Sequence, residues 1–158
     1  MLVFLALVGL GRELEPLRLV GVHLGLVLLV SGVGWWASGC CERAFGRQDD
    51  GRIVIDEVAG QLLALTPVLA LGAVARGAGV AWLASGAPVW WWLVVTAFVA
   101  FRVFDIAKPG PVRWAERRFE GGLGVMADDL VAGGLAALAM IVLGYVLLLR
   151  SLVATPLP

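Results

Sequence analysis

Histidine and cysteine are almost missing from this sequence of 158 residues: there is one histidine, His23, and one adjacent cysteine pair, Cys40 and Cys41. Neighbouring cysteines cannot easily bridge to each other, so no disulfide framework holds the fold. Without a second histidine or a spaced cysteine pair, the usual ligand set of a zinc site is absent as well. Excess charge of either sign is also lacking, because twelve Lys and Arg balance twelve Asp and Glu. No basic surplus points to nucleic acid, and no acidic tail points to a solvating segment. The N-terminal run MLVFLALVGLG carries neither a basic flank nor a small-residue cleavage site, which predicts a helix rather than a cleaved leader.

What the sequence has in abundance is apolar surface. Hydrophobic residues make up 61% of the chain, far above an ordinary soluble domain, and the length fits one domain over 1–158. Apolar segments recur at 17–39, 58–75, 87–104 and 130–149, each about long enough to cross a hydrocarbon layer of roughly 30 Å. Trp35, Trp36, Trp82 and Trp90 to Trp92 fall near segment ends, as interfacial aromatics do. The expectation is an all-α chain, a compact bundle with about four transmembrane or membrane-embedded helices. Polar residues gather in two long connections, 40–57 and 105–129, which four spans place on the same side. Arg43, Arg47, Arg52, Lys108, Arg113, Arg117 and Arg118 lie there, against Arg12, Arg18, Arg76 and Arg150 opposite. The positive-inside rule therefore assigns the long connections to the cytoplasm.

Charge near membrane depth is costly and marks a functional site by default. Asp49 lies in the first connection, and Asp56 and Glu57 stand where the second apolar segment starts, a place where acids also complement the helix dipole. Arg102, Asp105 and Lys108 are spaced i, i+3, i+6, on nearly one face of a helix that Pro109 stops, a pattern that a ladder of ion pairs would also give. Asp128 and Asp129 open the last span after the glycines at 121, 122 and 124. Six carboxylates thus converge on one membrane face, where they would repel one another without a counter-ion. Oxygen-only ligands favour a hard cation, Mg²⁺, held by some of Asp49, Asp56, Glu57, Asp128 and Asp129. Hard metal beside Arg102 and Lys108 is equipment for phosphoryl chemistry, and Gly121, Gly122 and Gly124 before a helix N-terminus could let backbone N–H groups approach phosphate.

Two features are set aside. Cys41 and Arg47 have the C-x5-R spacing of cysteine phosphatases, but Glu42 beside the cysteine would raise rather than lower its thiol pKa. His23, alone midway along an apolar span, reads as a packed or hydrogen-bonded core residue.

The segments DDGRIVIDEVAGQ (49–61) and FRVFDIAKPGPVRWAERRFEGGLGVMADDLVAG (101–133), with the apolar stretches around them, resemble the bacterial phosphatidylglycerophosphatase A family. The resemblance covers most of 35–150. It implies an all-helical, Mg²⁺-dependent membrane lipid phosphatase that converts phosphatidylglycerophosphate to phosphatidylglycerol and inorganic phosphate at the cytoplasmic leaflet of the bacterial inner membrane. The family motifs carry over onto Asp49, Asp56, Glu57, Arg102, Asp105, Lys108, Gly121, Gly122, Gly124, Asp128 and Asp129. Division of these carboxylates between metal and base does not carry over, and direct attack by water stands beside a covalent aspartyl-phosphate route. The family's G-T-x-G-S loop before its first apolar helix has no counterpart in this sequence. The alternatives are a CDP-alcohol-type phosphotransferase, whose long D-G-x-x-A-R pattern is not present, and an ion-conducting bundle, in which Arg102 and Lys108 would repel the permeant cation. Nothing in the sequence fixes an oligomeric state.

Overall fold

A computed structural model describes residues 16–45, 53–77, 79–80 and 88–154. Among these residues it contains five helices and no strand: α1 (Pro16–Phe45), α2 (Ile55–Gly77), α3 (Pro88–Ala107), α4 (Gly110–Arg118) and α5 (Gly121–Ala154). The N-terminal run, Trp82 and the part of the first connection with Arg47, Asp49 and Arg52 lie outside the described residues.

Four helices, all except α4, are long and apolar enough to cross a membrane, as the apolar runs predict. Their ends differ from the expected ones. At about 1.5 Å per residue, α5 with its 34 residues is about 51 Å long, well beyond a hydrocarbon layer of about 30 Å. Its exposed large apolar side chains run mostly from Leu138 to Val153, so the stretch before them is the part that projects toward the polar side. Asp128 and Asp129 accordingly do not open this helix but stand inside it, about two turns from Gly121. The second long connection also contains a short helix, α4. Pro109 and Pro111 start it and Arg117 and Arg118 end it, a polarity that suits the helix dipole.

The centre of the bundle is α2, more deeply buried than the other long helices and packed on α1, α3 and α5. One core cluster joins Leu65, Val68 and Leu69 to Trp90, Leu93 and Val94 and to Met140. A second, at the charged end, joins Ala64, Phe101, Val112, Ala132 and Ala136. His23 is fully buried and its Nε2 donates to the Leu62 carbonyl at 2.9 Å, tying α1 to α2 as a core residue. Pro67 sits within α2 without ending it.

Glycine sets how closely the helices approach. A side chain on Gly133 would strike the Gly60 carbonyl, and one on Gly60 would stand 2.6 Å from the Asp129 carbonyl oxygen and 2.5 Å from the Phe101 ring. This crossing of α2 and α5 is what brings Asp129 toward the first turn of α2. Gly60→Ala is therefore expected to cost about 1–3 kcal/mol, since backbone rather than a flexible side chain must give way. A lower unfolding midpoint in detergent would show it, with Gly134→Ala, where nothing lies within 4 Å, as the neutral comparison.

Candidate active site

Four helices, α2 to α5, and the link between α3 and α4 deliver acids and bases to one end of the bundle. The first turn of α2 carries Asp56 and Glu57, whose carboxylates complement the dipole; Asp56 Oδ1 also accepts the Glu57 N–H at 2.9 Å. The last turns of α3 carry Arg102 and Asp105. Arg102 Nη1 lies 3.0 Å from Glu57 Oε2 and 3.0 Å from Asp105 Oδ2, so one guanidinium bridges α2 and α3. The expected i, i+3 ladder is present, and it has a second purpose in reaching across to α2.

Lys108 departs from expectation in its backbone. The helix ends at Ala107, and Lys108 takes a left-handed φ of 42° before Pro109, while its N–H bonds to the Phe104 carbonyl. A proline disfavours helical geometry in the residue before it, and a left-handed non-glycine residue costs about 1–3 kcal/mol. Two charge-assisted hydrogen bonds offset that cost: Nζ donates to Glu116 Oε1 at 2.7 Å and to Asp128 Oδ2 at 2.9 Å. Burial alone would lower the Lys108 pKa, but its bonds to Glu116 and Asp128 outweigh burial and raise it above the ordinary lysine value. It is a fixed positive charge at physiological pH. Glu116 was not singled out in the sequence, because the segment holding it read as a connection rather than as α4.

Asp129 is the deepest acid, 5% exposed, with Asp56 at 7%. Its carboxyl is within hydrogen-bonding reach of Asp105 and close to Asp56 and Asp128. Of the candidate residues, the structure therefore gathers Asp56, Glu57, Arg102, Asp105, Lys108, Asp128 and Asp129, while Asp49 lies outside the described residues. Glu57, expected among metal ligands, is half-exposed and paired with Arg102. Among the described residues no three acids stand in a ready-made metal-ligand arrangement. The donor chemistry nonetheless fits a hard divalent cation. Among the described residues six acids, Asp56, Glu57, Asp105, Glu116, Asp128 and Asp129, gather in this half-buried place, and Arg102 and Lys108 pair with four of them, Glu57, Asp105, Glu116 and Asp128.

The glycines have a packing reason for their presence. Gly121 takes a left-handed φ of 65° at the turn into α5, and Gly122 lies so close to Gly39 of α1 that a Cβ would meet the Gly39 nitrogen at 2.5 Å. Gly122 and Gly124 are buried. Gly121 and Gly122 line a hollow of about 420 Å³ with Trp35, Trp36, Arg43 and Glu120, none of which belongs to the acid cluster.

The chain is 40% identical over 108 residues to a Bacteroides thetaiotaomicron protein provisionally named phosphatidylinositol-3-phosphatase, covering 68% of this chain and 57% of that one. It is 32% identical over 120 residues to phosphatidylglycerophosphatase A of Escherichia coli, covering 76% of this chain and 59% of the relative. It is also 30% identical over 134 residues to phosphatidylglycerophosphatase A of Haemophilus influenzae, covering 82% and 69%. The chain thus spans less than two thirds of the length of the first two relatives. No solved structure shows a significant match. The family model described as phosphatidylglycerophosphatase A matches residues 1–144, which include all the acids and bases gathered above, and the chain belongs to that family.

Proposed function

We propose that this protein is a Mg²⁺-dependent phosphatidylglycerophosphatase, releasing inorganic phosphate and leaving phosphatidylglycerol in phospholipid synthesis at the cytoplasmic face of a bacterial inner membrane. The observation that carries this reading is the meeting of Arg102 and Lys108 with four aspartates at one end of a bundle of apolar helices. Bases there bind a phosphomonoester, acids handle metal and protons, and the lipid's acyl chains stay in the membrane.

Asp56, Asp128 and Asp129 would hold Mg²⁺, with Asp49 as a further candidate; the ion, when bound, neutralises phosphate oxygens and lowers the pKa of water. Arg102 and Lys108 clamp the phosphate and hold the charge that grows on it in the transition state. Asp105 keeps the Arg102 guanidinium turned toward the site through their 3.0 Å contact. Glu116 does the same for Lys108 from α4. One buried aspartate takes the proton of the attacking water, and Asp129 is the deepest of them.

The test is phosphate release by the purified protein in mixed micelles. Phosphatidylglycerophosphate should be hydrolysed with appearance of phosphatidylglycerol, and faster than phosphatidylinositol 3-phosphate, the lipid in the name of the Bacteroides thetaiotaomicron relative. Faster hydrolysis of the inositol lipid would replace the substrate in this reading. Release of CMP from CDP-linked lipids, or ion flux without phosphate release, would replace the reaction.

A further inference from the structure

Between α1, α2 and α3 runs an apolar groove of about 280 Å³, lined in its body by Leu26 and Val30, by Leu65, and by Phe98 and Phe101. Its mouth is formed by Glu57 and Arg102, the pair that also closes one side of the acid cluster. One helical turn below Glu57, about 6 Å along α2, stands Gln61. Both polar atoms of the Gln61 amide are buried, and neither has a hydrogen-bond partner among the described residues. Burying both ends of an amide without partners is costly, and a ligand that offers it a hydrogen bond removes that cost. The helices that carry the groove also bear exposed apolar side chains, Leu29 and Val33 on α1 and Val95 and Val99 on α3, as helices facing lipid do.

Resting on the proposed lipid phosphatase activity, we infer that this groove receives one acyl chain of the phospholipid substrate, with its ester linkage against the Gln61 amide. The order along α2 matches the order along such a lipid. Arg102 at the mouth attracts the anionic headgroup, Gln61 offers an N–H donor to an ester carbonyl, and the groove below Gln61 offers only apolar contact. A helix from another protein would bring apolar surface but nothing anionic for Arg102 at the mouth. In this arrangement the acyl chain held in the groove anchors the phosphomonoester at the aspartates. Gln61 and the apolar groove walls set the position of the lipid and do not act on phosphate; of the groups that do, Arg102 stands at the mouth.

The experiment compares diacyl phosphatidylglycerophosphate in mixed micelles with its deacylated, water-soluble headgroup, for the wild-type protein, Val30→Trp, which fills the groove, and Gln61→Met, which keeps the size but removes the amide. Both variants should raise KM for the diacyl substrate by at least about tenfold and leave kcat/KM for the deacylated compound unchanged. Gln61→Met is close in volume and removes a buried amide without partners, so it should unfold at or above the wild-type temperature, which guards against a folding defect in Val30→Trp. Equal effects on both compounds, or no effect on either, with an active wild-type protein, would overturn the groove assignment while leaving the phosphatase reading intact. A wild-type protein that releases phosphate from neither compound would overturn both.

Discussion

Asp129→Asn should lower phosphate release by about 100-fold or more while the protein stays folded. The expectation follows from the position of Asp129 deep among Asp105, Asp56 and Asp128. Asparagine keeps the shape and one oxygen but cannot take a proton from water, and it is a far weaker ligand for a hard cation. Folding should survive because removing one acid from a crowd of acids relieves repulsion, so the unfolding midpoint should stay level or rise. Phosphate release and thermal unfolding measured on the same preparation separate the two effects. Full activity in this variant would take Asp129 out of the mechanism, and loss of activity together with loss of fold would mean that its role is structural.

Removing divalent cations should have a comparably large effect. Chelation is expected to bring phosphate release to background, and added Mg²⁺ to restore it. The reason lies in the charge count among the described residues, in which six acids gather around Arg102 and Lys108 and these two bases pair with four of them. Arg102 is shared between Glu57 and Asp105, and Lys108 between Glu116 and Asp128, so neither base can serve all the acids and a dianionic phosphate together. A divalent cation supplies the missing positive charge where phosphate must sit. Activity that persists in chelator would mean that the two bases suffice, and the metal would leave the account.

Hydrophobic runs made the four long helices legible, because a membrane-crossing segment must be apolar whatever it packs against. Where those helices end was less legible. The stretch GGLGVM reads as loop by glycine content, yet it is the first turns of α5, held by the contact of Gly122 with Gly39 and by burial of Val125 and Met126. Tertiary packing overrode local propensity there. The segment of α4 did carry signals, two prolines at its start and two arginines at its end, but its nine residues were lost inside a long charged connection. Among the site residues, Arg102 and Asp105 announced themselves by spacing on one helix, and Asp56 and Glu57 by their place at a helix start. Glu116, the Gly60 to Gly133 crossing and Gln61 did not, because each matters through a neighbour distant in sequence. The i, i+6 spacing puts Lys108 on the helix of Arg102 and Asp105, but the helix ends at Ala107, one residue before Lys108.

Titration of the metal-free protein with Mn²⁺, followed by the paramagnetic resonance of the free ion, bears most directly on the aspartates of α2 and α5 as a shared cation site. A bound Mn²⁺ that Mg²⁺ displaces, present in the wild-type protein and in Gln61→Met but lost in Asp129→Asn, is the predicted result. A wild-type chain that takes up no ion, or an Asp129→Asn chain that binds as well as the wild type, would contradict it.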